Sequence, residues 1–207
     1  MIYQALQGLK RHMKMKKKEK AIKKYDKLLR SCIDNKDIVK VERDFGEGDV
    51  SVLGFLLDIS QKFLLMQKEE DFYLDGYAII PKGQFDSIRN NKFDKTHKKI
   101  LAKEGITKRD YGIDIKVDLT DWPGVFKSLR KHDQYVIIEC EDLDEPIFLI
   151  GPITRVGKKT VSVQYFDATG LLDEKPSAVN YSDITIVRFD ERYINVFRKH
   201  LRQKKKK

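Results

Sequence analysis

The chain has 207 residues, 41% of them apolar and 36% charged, with a net charge of +10, a balance that allows a folded core in one large or two small domains and excludes wholesale disorder. The charge is unevenly divided: residues 1 to 30 hold eleven Lys/Arg against two acids and residues 188 to 207 nine against two, leaving 31 to 187 mildly acidic at −6. Two distant cysteines, Cys32 and Cys140, point away from a disulfide framework or zinc site, and the lack of any apolar run near the roughly 18 residues of a bilayer span, or of an apolar leader, predicts a cytoplasmic protein with no membrane contact.

In chain order, Ile22, Tyr25, Leu28, Leu29, Cys32 and Ile33 recur at spacings of three and four, the stripe of an amphipathic helix. β-Branched runs follow at Ile38 to Arg43 and Val50 to Ile59, with a third run at Phe63 to Gln67. Asp75-Gly76 is read as a hairpin turn before strands at Tyr77 to Ile80 and Ser87 to Asn90. A helix capped by Asp94 then presents Phe93, His97, Ile100 and Leu101 to the strands.

The stretch Glu104 to Asp118, with Gly105 and Gly112, reads as a joint. Beyond it the order repeats. Asp121 caps a helix with Pro123 near its start and Val125, Phe126 and Leu129 on one face. Strands are predicted at Tyr135 to Cys140, Ile147 to Val156, Val161 to Tyr165, Ser177 to Asn180 and Ile184 to Arg188, with a turn at Thr169-Gly170. A closing helix, capped by Asp190, places Tyr193, Val196, Phe197, His200 and Leu201 on a docking face.

The two halves align. Leu53-Gly54-Phe55-Leu56 falls on Ile150-Gly151-Pro152-Ile153, Phe63 to Gln67 on Thr160 to Gln164, Phe85 to Ile88 on Tyr181 to Ile184, and Phe93-Asp94 on Phe189-Asp190. The order of patterns predicts an internal duplication. Its boundaries are 1–103 for a helix, first unit and closing helix, 104–118 for the linker, and 119–207 for the second set with a basic tail. Gly54 and Gly151 inside the longest strands permit the sharp bend that a small barrel requires; a tolerated bulge is the alternative.

A helix followed by five bent strands with glycine in the second resembles the Sm-like fold of RNA-associated proteins. The expected class is therefore mainly β with flanking helices (α+β), as two tandem five-stranded Sm-like or SH3-like small barrels. The resemblance implies RNA association. Ser87-Ile88-Arg89-Asn90-Asn91 approximates the family's fourth-strand ending in the first copy, whereas Asp183 to Val187 in the second departs from it. Asp71 to Tyr77 and Asn91 to Lys95 also resemble phrases of an uncharacterised bacterial protein family, which implies no activity.

Catalytic motifs are not found. Phe45-Gly46-Glu47-Gly48-Asp49 is short and acidic, without the lysine and helix of a phosphate loop, and reads as a turn. The acidic runs at Glu69 to Asp71 and Glu139 to Glu145 lack the alternation of a calcium loop, and no serine or cysteine stands in a nucleophile motif. The expectation is no enzyme, no cofactor and no metal.

The positive signals are basic. Lys16, Lys17, Lys18, Lys20 and Lys24 crowd the first helix, and Arg89, Lys92, Lys95, Lys98 and Lys99 follow the first unit. Arg198, Lys199, Arg202, Lys204 and Lys205 crowd the end. Such clusters supply sequence-independent affinity for phosphate backbones; solvated faces are the other reading. Tyr73 and Tyr77 are candidate stacking rings. The predicted function is non-catalytic binding of RNA or ribonucleoprotein. The alternative is a protein-interaction adaptor using exposed strand edges.

Overall fold

The computed structural model describes residues 25–45 and 49–203. Ten strands form one antiparallel sheet: β1 (Ile38–Asp44), β2 (Asp49–Ile59), β3 (Phe63–Glu70), β4 (Tyr73–Pro81), β5 (Ser87–Arg89), β6 (Tyr135–Cys140), β7 (Ile147–Val156), β8 (Thr160–Val163), β9 (Ser177–Asn180) and β10 (Ile186–Phe189). The helices are α1 (25–34), α2 (Lys92–Lys103), α3 (Ile106–Asp110), α4 (Trp122–Lys131) and α5 (Arg192–Phe197). Lys82–Gln84 adds one 3-10 turn. The chain is mainly β with flanking helices, as its alternating and continuous apolar runs predict.

Across the sheet the strands run β5-β1-β2-β3-β4-β10-β6-β7-β8-β9. The first five and the last five therefore share one internal order, and β4 pairs with β10 at the seam. The ladders match in detail. Val39 faces Gly54 as Val136 faces Gly151, and Lys40 faces Arg89 as Ile137 faces Arg188. The register slips after Leu56 in one half and after Ile153 in the other. A Cβ at Gly54 would lie 2.1 Å from the Gln67 carbonyl oxygen, and one at Gly151 would lie 2.0 Å from that of Gln164. Only a residue without a side chain permits the next strand to approach so closely.

One core crosses the seam. Phe63, Leu65 and Ile79 of the first half pack with Trp122, Phe126, Leu129, Val136 and Phe189 of the second. Ile186 in turn joins the cluster beneath α1, among Leu29, Cys32, Val41 and Phe85. β3 shows why: Phe63 to Gln67 are all buried, so both faces of this strand are covered. Buried ions tie the halves as well. Arg43, 2% exposed, makes a bidentate pair with Glu141 at 2.7 and 3.1 Å, and the Thr185 hydroxyl donates to the same carboxylate. The segment predicted as linker carries α3, whose Ile106 packs with Ile38, Phe55 and Leu101. Gln67 grips it by donating to the Asp110 carbonyl and accepting from the Gly112 N–H.

Several local expectations are corrected. The β3–β4 turn lies at Asp71-Phe72, whose φ values of 45° and 66° are those of a hairpin turn, while Asp75-Gly76 is inside β4. Gly76 is small because a Cβ there would meet the Phe189 carbonyl at 2.6 Å across the seam. The α2 cap is Asn91, with Asp94 completing the capping box from the third helical position. Asp190 caps nothing. It takes φ 57° and α5 begins after Glu191 without a side-chain cap.

Phe93 and Phe189 are not equivalent, since Phe93 is an exposed helical residue and Phe189 is fully buried in β10. On α5 the buried residue is Ile194; of the expected face, Phe197 and Leu201 pack half-buried against Ile137, Ile150 and Phe166, whereas Tyr193 and Val196 are half-exposed. The expected cap at Asp121 is present, accepting from the Gly124 N–H at 2.8 Å.

Candidate nucleic-acid interface

The orientation of α2 follows from four anchors on its inner face. Asp94 accepts from the Nε–H and Nη2–H of Arg89, the first shared between both its oxygens, and from the Asn91 N–H. Burial alone would raise this carboxyl; the hydrogen bonds from Arg89 and the backbone outweigh burial and hold it below its ordinary value. His97 Nε2 sits 2.8 Å from the buried carboxylate of Glu69. Lys98 reaches Asp37 at 2.6 Å and the Asn35 carbonyl at 2.7 Å. Leu101 is fully buried.

With those positions turned inward, Lys92, Lys95, Lys99 and Lys103 at spacings of three, four and four fall on the outward face. All four are exposed, and none forms an ion pair among the described residues. Beside the row, Phe93 is 64% exposed and Ile100 is partly bare. On α3, Lys108 is exposed and Arg109 pairs with its neighbour Asp110.

The structure thus divides the predicted basic residues. Lys92, Lys95 and Lys99 share one open face, and Lys103, which sequence reasoning passed over, extends it. Arg89 and Lys98 support that face from below through carboxylates. Arg198 is engaged elsewhere, with its guanidinium 2.5 Å from Asp133 and over the Tyr135 ring. Arg202 donates to the Thr169 carbonyl, and Lys199 is exposed beyond the end of α5. Lys16, Lys17, Lys18, Lys20, Lys24, Lys204 and Lys205 lie outside the described residues.

Neither tyrosine proposed for stacking is free. Tyr77 stacks on Phe189 and donates its hydroxyl to the Gly112 carbonyl, and burial, with Asp190 and Asp114 nearby, pushes that hydroxyl up to about 12. Tyr73 carries the Arg192 guanidinium over its ring at 5.0 Å. The exposed rings at α2 are instead Phe72 and Phe93, the latter with the Lys92 ammonium 5.2 Å from its centroid. Exposure at a tight turn carries no periodic signal, so Phe72 could not be read from the sequence.

At the seam, a cleft of about 580 Å³ is lined by Lys68, Tyr73, Phe148, Arg188, Glu191 and Tyr193, among others. Three of its charges are spent on one another or on a neighbour, since Glu191 faces Lys68 at 2.5 Å and Arg188 at 3.5 Å while Arg188 also meets Glu139. Among the described residues no cluster of His, Cys, Asp and Glu is arranged to hold a metal ion. No helix among them is long and apolar enough to cross a membrane. Comparison with protein families, curated proteins and solved structures returns no match for this chain.

Proposed function

We propose that this chain is a non-catalytic RNA-binding protein that captures the phosphate backbone along the outward face of α2. The observation that carries this reading is the row Lys92, Lys95, Lys99 and Lys103, exposed and without carboxylate partners among the described residues while neighbouring Arg89 and Lys98 are neutralised. Unpaired cations repeating every helical turn present a line of charge to a polyanion, and each contact releases condensed counterions. The lysine-rich residues 1 to 30 and 188 to 207 add attraction at long range. We also infer that the sheet descends from duplication of an Sm-like five-stranded unit. The shared strand order, the matched Gly54 and Gly151 registers and the matched slips after Leu56 and Ile153 support this.

The test is a titration of a mixed-sequence RNA at two salt concentrations with wild type and the variant Lys92→Glu, Lys95→Glu, Lys99→Glu. The reading expects binding that weakens with salt by about 0.7 in log–log slope per phosphate for single strands, and a lower slope and affinity in the variant. Equal affinity of variant and wild type would remove α2 from the interface. A second reading, a protein adaptor, is favoured by the bare apolar group Ile147, Phe148, Tyr193 and Val196 around the seam cleft. No RNA binding by wild type at low salt would favour it.

A further inference from the structure

The β3–β4 turn contains an unusual residue choice. Asp71 and Phe72 both take positive φ, 45° and 66°, at a hairpin turn where Asp-Gly would be free of strain. A bulky side chain in this region is a true outlier, tolerated where the surroundings enforce it. The surroundings here do so. The Glu69 carboxylate accepts the Phe72 N–H at 2.6 Å and also faces His97 Nε2. The His97 imidazole lies flat against one face of the Phe72 ring, 4.5 Å between centroids and 9° from parallel.

The Phe72 ring is nonetheless 44% exposed. Its backing makes it a rigid shelf rather than a core residue. Phe93, 64% exposed and with the Lys92 ammonium 5.2 Å from its ring centroid, stands one helical turn before His97 on α2. Two exposed aromatic rings thus border the lysine row.

Resting on the capture of RNA phosphates by α2, we propose that the ligand is single-stranded, with unpaired bases stacking on Phe72 and Phe93 while Lys92, Lys95 and Lys99 hold the phosphates. Charge alone would serve a duplex equally well. Stacking rings serve only bases that are out of a helix, and they do so without regard to sequence. The strain at Phe72 then has a reason, since glycine would make the same turn but offer no ring.

The experiment measures anisotropy of labelled oligouridine and of an RNA duplex of equal length, with wild type, Phe72→Gly, Phe93→Ala and the triple lysine variant. The expected result is preference for the single strand in wild type. Each phenylalanine variant loses about 5- to 100-fold for oligouridine, keeps its duplex affinity and keeps the wild-type salt slope. Thermal stability of Phe72→Gly should be unchanged or raised, because glycine relieves the positive φ, so lost binding is not lost folding. Equal binding of strand and duplex by wild type, or full oligouridine affinity in both phenylalanine variants, overturns the stacking proposal while leaving lysine capture intact. Loss of binding in the lysine variant with no binding change in the phenylalanine variants has the same meaning. If wild type binds neither probe, RNA capture itself falls.

Discussion

Replacing Gly151 by alanine tests the closest backbone approach in the second half of the sheet. The new Cβ would stand 2.0 Å from the Gln164 carbonyl oxygen, at a φ of 152°, whereas real contacts of this kind keep about 3 Å. β7 and the chain after β8 must therefore separate by about 1 Å. Two ladder bonds flank the site, from the Gln164 N–H to the Pro152 carbonyl at 3.1 Å and from the Phe166 N–H to the Ile150 carbonyl at 3.3 Å. Stretched by that amount, both pass out of hydrogen-bonding range.

Losing two such bonds costs about 1–3 kcal/mol in net terms, and leaving their buried groups unpaired raises the total to about 3–5 kcal/mol. Urea unfolding followed by the fluorescence of Trp122, the chain's one tryptophan, measures the loss. That ring packs in the core crossing the seam. Gly83→Ala is the control, because a Cβ there meets nothing within 4 Å. Gly54→Ala should match Gly151→Ala within about 1 kcal/mol, since its Cβ meets Gln67 at the equivalent place. A Gly151→Ala variant within about 1 kcal/mol of the Gly83 control would refute the close-approach argument.

Three further outcomes are expected. Arg43→Met should lose about 3 kcal/mol in urea unfolding by stranding the Glu141 charge, and adding Glu141→Leu should restore much of it; a double variant as unstable as both losses added would show the pair is not coupled. Burial lifts the thiols of Cys32 and Cys140 to about 11 and about 12, with Asp37 adding to the first and Asp183 to the second, so an aromatic disulfide reagent at pH 8 should react only as fast as the protein unfolds, and rapid native labelling would contradict this. Because the Asp94 carboxyl is held below its ordinary value in the fold, its contribution is present above about pH 4 and lost as pH falls through the folded value. The stability gap between wild type and Asp94→Asn should therefore narrow below about pH 4, and a gap constant with pH would count against the Arg89 pairing.

Local pattern was enough to place most elements. The runs at Tyr135–Cys140 and Ile147–Val156 coincide with β6 and β7, and Asp121 before Trp122-Pro123 marks the start of α4, because periodicity and capping act over a few residues. The two internal glycines were legible too, as breaks in otherwise apolar strands. Their meaning was not, since the carbonyls that exclude a side chain belong to strands ten or more residues away.

The sequence by itself determined that the chain is mainly β and that its cations are clustered. Only the tertiary structure decided that ten strands join through β4 and β10, since pairing across the seam and the core shared by Phe63, Trp122 and Phe189 depend on contacts between distant residues. It likewise decided which lysines are open. Lys98 and Lys99 are neighbours of the same kind in sequence, yet α2 turns one onto Asp37 and the other to solvent, because buried Asp94 and Leu101 set the rotation of the helix.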